Sequence, residues 1–170
     1  MFNFRWISFL ISRSKIFQKI IYTRIYTHVV LHNILANKQY GFRSGLSTDN
    51  ASYTLIQQVL STMNSKHTVG GIFCDLSKNF DCVNHKIQLL KLEHCGMRGT
   101  FGAVIKSFLM ERYQRVALKD KTNTINYSNW ELVKHWVPQG SILSSLFFLL
   151  YINDLPTVTA ENAKLVLHAT

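Results

Sequence analysis

Gly71-Ile72-Phe73-Cys74-Asp75-Leu76-Ser77-Lys78-Asn79-Phe80-Asp81-Cys82-Val83-Asn84-His85 is an apolar run that ends in a carboxylate and passes through a polar turn into a helix start. Val69 to Cys74 is short, uncharged and holds Val, Ile and Phe, so it reads as a buried strand with Asp75 at its carboxyl end. Sheets combined with helices place their chemistry at that end of a strand. A carboxylate taken out of water there costs free energy unless a cation accompanies it, and Mg²⁺ is a suitable one. An aspartate at this position can equally cap the following helix, and the spacing alone leaves both readings open.

Around that stretch, 170 residues with 47% hydrophobic and 12% aromatic content can bury one sizeable core or two small lobes, which excludes a chain disordered by composition. Nineteen Lys and Arg against nine Asp and Glu leave a formal charge of +10, which suits a polyanionic partner such as nucleic acid. Cys74, Cys82 and Cys95 are odd in number and form no C-x-x-C pair, so neither a disulfide framework nor a zinc site is expected. A reducing, intracellular compartment follows. Trp6 to Ile11 is too short and too near Arg13 and Lys15 for a signal peptide, and Ile142 to Ile152 falls short of a spanning helix. Neither secretion nor a membrane partner is expected.

Toward the N-terminus, Ile16, Phe17, Ile20, Ile21, Ile25 and Val29 form a helical stripe with Lys15, Lys19 and Arg24 on the opposite side. Those cations suit either solvent or a phosphate backbone. His28 and His32 are four apart, but no third ligand stands near them, and a metal is not expected there. Gln39-Tyr40-Gly41-Phe42-Arg43-Ser44-Gly45-Leu46-Ser47-Thr48 breaks the pattern with two glycines. Such a loop can bring backbone N–H groups and a guanidinium close to phosphate oxygens, or it is a turn before a helix capped by Ser47 or Asp49. That helix, about 50 to 64, carries Leu55, Ile56, Val59, Leu60 and Met63 on one face.

Toward the C-terminus, Asn84 is a candidate N-cap for a helix with Ile87, Leu89 and Leu90 inward and Gly96 at its end; Asp81 supports that helix start. A further helix near 100 to 111 buries Phe101, Val104, Ile105 and Phe108. The period then changes: Tyr113, Arg115, Ala117 and Lys119 face one way, and Gln114, Val116 and Leu118 the other. Asp120 to Ser128 connects this strand to a second one over Trp130 to Trp136, giving a hairpin. Arg112, Arg115, Lys119 and Lys121 make it basic, for solvent or for the phosphates of a nucleic acid. In Val137-Pro138-Gln139-Gly140-Ser141, proline ends the strand, glycine permits close backbone approach, and Ser141 caps an apolar helix running to about Asn153.

Asp75-Leu76-Ser77-Lys78-x-Phe80-Asp81-x-Val83-Asn84-His85 resembles motif A of reverse transcriptases, in particular those of non-LTR retrotransposons. Gln39-x-Gly41-Phe42-Arg43-x-Gly45-x-Ser47-Thr48 resembles a fingers motif of the same enzymes, and Val137 to Ser141 resembles their motif B. Tyr151-Ile152-Asn153-Asp154-Leu155-Pro156 is similar to another family phrase, and the opening retains Phe4, Arg5, Ile7, Ser8 and Leu10 of a third, with Trp6 in place of proline. Ser144-Ser145 depart from the family's Gly-Pro.

The resemblance implies an α+β fold, the fingers and palm of a right-hand polymerase, with an antiparallel palm sheet backed by helices, the thumb absent and the palm truncated. Residues 1–68 would be fingers-like and 69–170 palm-like. It implies RNA-directed transfer of deoxynucleotides to a primer, with an RNA template, a DNA primer and deoxynucleoside triphosphates as partners, Mg²⁺ as cofactor, and a nuclear or cytoplasmic location. On this resemblance Asp75 is catalytic and a ligand of both metal ions, and the Leu76 carbonyl is a further ligand. Arg43 holds the triphosphate, Phe80 lies under the sugar and disfavours a 2′-hydroxyl, and Gln139 with Gly140 lines the nucleotide and template pocket.

Two-metal chemistry needs several carboxylates around ions roughly 3.5 to 4 Å apart. The family supplies the others from an aromatic-Ala-Asp-Asp turn, motif C, where this sequence reads His168-Ala169-Thr170. Asp154 and Glu161 are the acids beyond motif B, and Asp154 belongs to a different phrase. The expectation is therefore a catalytically defective fingers-and-palm fragment. The rival is a non-catalytic, basic nucleic-acid-binding remnant.

Overall fold

A serine followed by an almost wholly apolar stretch sets the centre of the fold. In the computed structural model, which describes residues 12–74, 80, 82–110, 112–133, 140–158 and 163–168, the Ser141 side-chain oxygen accepts a hydrogen bond from the Leu143 N–H at 3.2 Å. That cap starts the helix Ile142–Tyr151. Leu143, Leu146, Phe147, Phe148, Leu149 and Leu150 are all buried, so beyond the exposed Ile142 at its start this helix is largely enclosed. In chain order the elements are α1 (Ser12–Leu31), α2 (Thr48–Asn64), α3 (His85–His94), α4 (Gly99–Leu109), β1 (Tyr113–Gln114), β2 (Ala117–Lys119), β3 (Ile125–Tyr127), β4 (Glu131–Leu132) and the central helix, α5, followed by a 3₁₀ turn over Leu155–Thr157.

Helices α1 and α3 both pack on α5, and α4 packs on α3. The seam of α1 is Gln18, Ile21, Ile25 and Val29. Ile16, Phe17 and Ile20 of the expected stripe lie outside it and are exposed. The polar residue in that seam is satisfied: Ser141 Oγ donates to Gln18 Oε1 at 2.9 Å, and Gln18 Nε2 donates to Ser14 Oγ at 3.1 Å. In α3, Asn84 Oδ1 accepts from the N–H groups of Lys86 and Ile87, as expected of a cap. The helix ends where Gly96, at φ +89°, lets the Met97 N–H reach back to the Leu92 carbonyl. Its inward residues are His85, Gln88 and Leu92, one seam at i, i+3, i+7, while Ile87 and Leu90 lie round the helix from it and face solvent.

Ser47 caps α2 in a reciprocal box with Asn50. This helix packs against no other described element, and of the expected apolar face Leu55 and Val59 are partly buried while Ile56, Leu60 and Met63 remain exposed. The hairpin forms, but its second strand begins at Ile125 rather than Trp130. The described strands make two antiparallel ribbons, β1–β4 and β2–β3, and no described helix packs on either. The described residues thus combine helices with small antiparallel sheets, as an α+β fold requires, without a single helix-backed sheet among them.

The largest departure is Val69 to Cys74. These residues are irregular and exposed, with Ile72 at 93% and Phe73 at 84% of full accessibility. A strand leaves its N–H and C=O groups unpaired until a neighbour supplies a ladder, and no described segment lies beside this one as a strand. Apolar composition alone did not bury it.

Candidate nucleotide site

Two of the sequence phrases and the central helix meet at one ring. Phe80, from the run after Asp75, lies 5.1 Å from Phe148 of α5 and 5.9 Å from Phe42 of the two-glycine loop, centroid to centroid. Both pairs are tilted or edge-on, the arrangement ring quadrupoles favour, and each adds about 0.5–1.5 kcal/mol beyond its area. Phe42 holds φ at +54°, a left-handed conformation that costs a non-glycine residue about 1–2 kcal/mol, and its packing on Phe80 offsets that cost. The loop is thereby fixed against α5 rather than hinged away from it.

Arg43, next in the loop, is half-buried. Its Nη1 donates to the Ala36 carbonyl at 3.1 Å. The Ala36 N–H in turn donates to Asn153 Oδ1 at 2.8 Å, and Asn153 Nδ2 donates to the Ile34 carbonyl at 2.8 Å. Asn153, just past the end of α5, thus braces the backbone on which the guanidinium rests. A guanidinium carries five N–H donors, so most of the fork is left for an anion. Sequence reasoning missed the roles of Ala36, Phe42, Phe148 and Asn153; the available signal was the recurrence of Phe42 and Asn153 in the family phrases.

Gly140 has φ +97°, a backbone state that a side chain would strain. Asp75, Leu76, Gln139 and Asp81 lie outside the described residues, so the metal ligands and the glutamine of the pocket remain readings from sequence. Among the described residues no group of three His, Cys, Asp or Glu side chains could hold a metal ion. Asp154 is committed elsewhere: its carboxylate pairs with Lys91 Nζ at 2.6 Å, and Lys91 also donates to the Tyr151 carbonyl. The hydrogen bond from Lys91 to Asp154 holds that carboxyl below its ordinary range and ties α3 to the end of α5. His28 does a similar task, its Nε2 lying 2.8 Å from the Cys95 carbonyl at the end of α3.

Leu167 and His168, the last described residues, run beside the loop. Leu167 pairs in parallel with Gln39; the Tyr40 N–H donates to the Leu167 carbonyl at 2.9 Å, and the Leu167 N–H donates to the Lys38 carbonyl at 3.0 Å. His168 Nε2 lies 3.1 Å from Thr48 Oγ1. No described helix is long and apolar enough to cross a membrane.

Comparison with known proteins places the chain in a family. The chain is 30% identical over 158 residues to the probable RNA-directed DNA polymerase from transposon BS of Drosophila melanogaster, covering 93% of this chain and 17% of that protein. It is 32% identical over 154 residues to the probable RNA-directed DNA polymerase from transposon X-element of the same species, covering 91% and 16%. It is 29% identical over 171 residues to the RNA-directed DNA polymerase from its mobile element jockey, covering 99% and 18%. The chain thus spans less than a fifth of the length of these relatives. No solved structure matches it significantly. The model of the family described as reverse transcriptase (RNA-dependent DNA polymerase) matches residues 1–169, and the chain belongs to that family, with its relatives in non-LTR retrotransposons.

Proposed function

We propose that this chain is the fingers and palm portion of a right-hand polymerase, residues 1–68 fingers-like and 69–170 palm-like, that serves RNA-directed DNA synthesis. The observation that carries this reading is the meeting of the Phe42 loop, Phe80 and α5 at one aromatic cluster. In the reaction the primer 3′-oxygen bonds to the α-phosphorus of a deoxynucleoside triphosphate, the bond from that phosphorus to the bridging oxygen breaks, and pyrophosphate leaves. Mg²⁺, for which the Asp75 carboxylate and the Leu76 carbonyl are hard oxygen donors, supplies charge neutralisation when bound. Arg43 offers its free N–H groups to the triphosphate from a position braced by Ala36 and Asn153. Phe80 stands against a 2′-hydroxyl, and Gln139 with Gly140 lines the pocket for the templated base pair. The partners are an RNA template and a DNA primer, and the setting is nuclear or cytoplasmic.

One carboxylate cannot hold two Mg²⁺ ions, so these 170 residues taken by themselves are expected to bind nucleotide without extending a primer. The test titrates labelled dATP and ATP into the chain with Mg²⁺. dATP is expected to bind more tightly, Phe80→Val to narrow the difference, and Arg43→Ala to weaken both about tenfold. Equal affinities, or an Arg43→Ala variant that binds like the wild type, overturn the site. Primer extension by the isolated chain would overturn the expected incompleteness.

A further inference from the structure

The hairpin between α4 and α5 carries a cluster that the nucleotide site does not use. Gln114 faces Glu131 and Ala117 faces Tyr127, so two residues intervene on the first strand and three on the second. That extra residue is a bulge, and it changes which side chains share a face. Tyr127 and Trp130, three apart and on opposite faces in a regular strand, come to the same side. Arg115 lies between them, its guanidinium carbon 4.0 Å from the Tyr127 ring centroid and 4.8 Å from that of Trp130. Tyr113 and Lys119 follow on the same face by the strand period.

This face is open. Tyr113 is 64%, Trp130 61% and Tyr127 54% exposed, and no described helix packs on either ribbon. Among the described residues the carboxylates nearby do not oppose it. Asp120 is closed into the turn, accepting from the N–H groups of Thr122 and Thr124 and from the Thr122 hydroxyl. Glu131 pairs in register with Gln114, on the reverse side from Arg115. What remains is a set of exposed rings interleaved with Arg115, Lys119 and Lys121, on a chain of charge +10.

We propose that this face binds single-stranded nucleic acid, with unpaired bases stacking on Trp130 and Tyr127 and Arg115 and Lys119 taking the phosphates. Rings stack on unpaired bases, whereas a duplex keeps its base faces to itself, so the aromatic component favours a single strand over a helix. Holding Arg115 between two rings fixes its planar fork in place before the strand arrives. The inference rests on the polymerase reading, which already requires an unpaired template.

The experiment measures anisotropy of a short labelled oligouridylate with the full 170-residue chain over a range of salt. Trp130→Ala and Tyr127→Ala are each expected to weaken binding about tenfold, and Trp130→Phe to keep most of it. Arg115→Ala lowers the salt slope by about one, while Arg115→Lys keeps the slope and loses affinity. Leu118→Ala, on the reverse face, leaves binding unchanged. Circular dichroism confirms that each variant stays folded, and these exposed positions carry none of the helical core. The proposal is overturned if the hairpin variants bind like the wild type, if the chain prefers a duplex regardless of Trp130, or if it binds no strand at all. Because dATP binding is read separately, either result can fail while the other holds.

Discussion

Leu143 to Leu150 and Val69 to Phe73 are both uncharged, apolar runs, and the first is enclosed while Ile72 and Phe73 of the second stand almost fully in solvent. The difference lies in the backbone. A helix satisfies its N–H and C=O groups within itself, so α5 needs neighbours only for its side chains, and α1 and α3 supply them. A strand needs a partner for its hydrogen bonds before its side chains can be sheltered at all. Hydrophobic composition expresses a demand for burial, and only the topology decides whether it is met.

The strongest way to break this comparison is to cut the same ring from both runs. Phe147→Ala removes a fully buried side chain and is expected to cost about 3–5 kcal/mol, a large share of the stability of a small domain. Phe73→Ala should change stability by less than about 0.5 kcal/mol. Denaturant midpoints measure both. A comparable loss at Phe73 would mean that the segment is covered in solution, and the contrast between the two runs would fall.

What was legible in the sequence was local. Ser47, Asn84 and Ser141 cap their helices, and Gly96 closes α3, because a cap is a side chain meeting backbone two or three residues away. The candidate site was read as a set of phrases, and of its residues Phe80 packs between the Phe42 loop and α5. The helix faces were harder to read, because glutamines at buried positions hide the seam: Gln18 in α1 and Gln88 in α3 sit where an apolar residue would have marked it. The Asn153 brace on Ala36 spans 117 positions, and no local pattern announces such a bond.

Those two glutamines sharpen the comparison at the next level of effect. Gln18 bonds to Ser14 and Ser141, whereas neither amide atom of the fully buried Gln88 has a hydrogen-bond partner among the described residues. A buried amide without partners forfeits its hydration, at about 1–3 kcal/mol. Gln88→Leu is therefore expected to stabilise the chain by about 1 kcal/mol, while Gln18→Leu destabilises it by depriving the Ser141 hydroxyl of its acceptor. Thermal unfolding decides the sign in each case. A destabilised Gln88→Leu would show that the amide has a partner and that α3 is bound more tightly than its described contacts imply.

The smallest effect belongs to the exposed end of the enclosed run, where Lys91 and Asp154 join α3 to the residues after α5. Hydrogen bonding to Lys91 lowers the Asp154 pKa from its ordinary 3.8, so the folded chain holds the ionised form more tightly than the unfolded chain does. The stability this contributes is complete above pH 3.8 and is lost as pH falls from there through the lowered folded value. The Asp154 side chain is 62% exposed, and solvent screening limits the contribution to about 0.5 kcal/mol or less. Asp154→Asn should flatten the acid limb of the stability profile by that amount, and added salt should do the same to the wild type. A limb unchanged in the variant would leave the carbonyl of Tyr151 as the partner that fixes Lys91, and the junction of α3 with α5 would then be insensitive to pH.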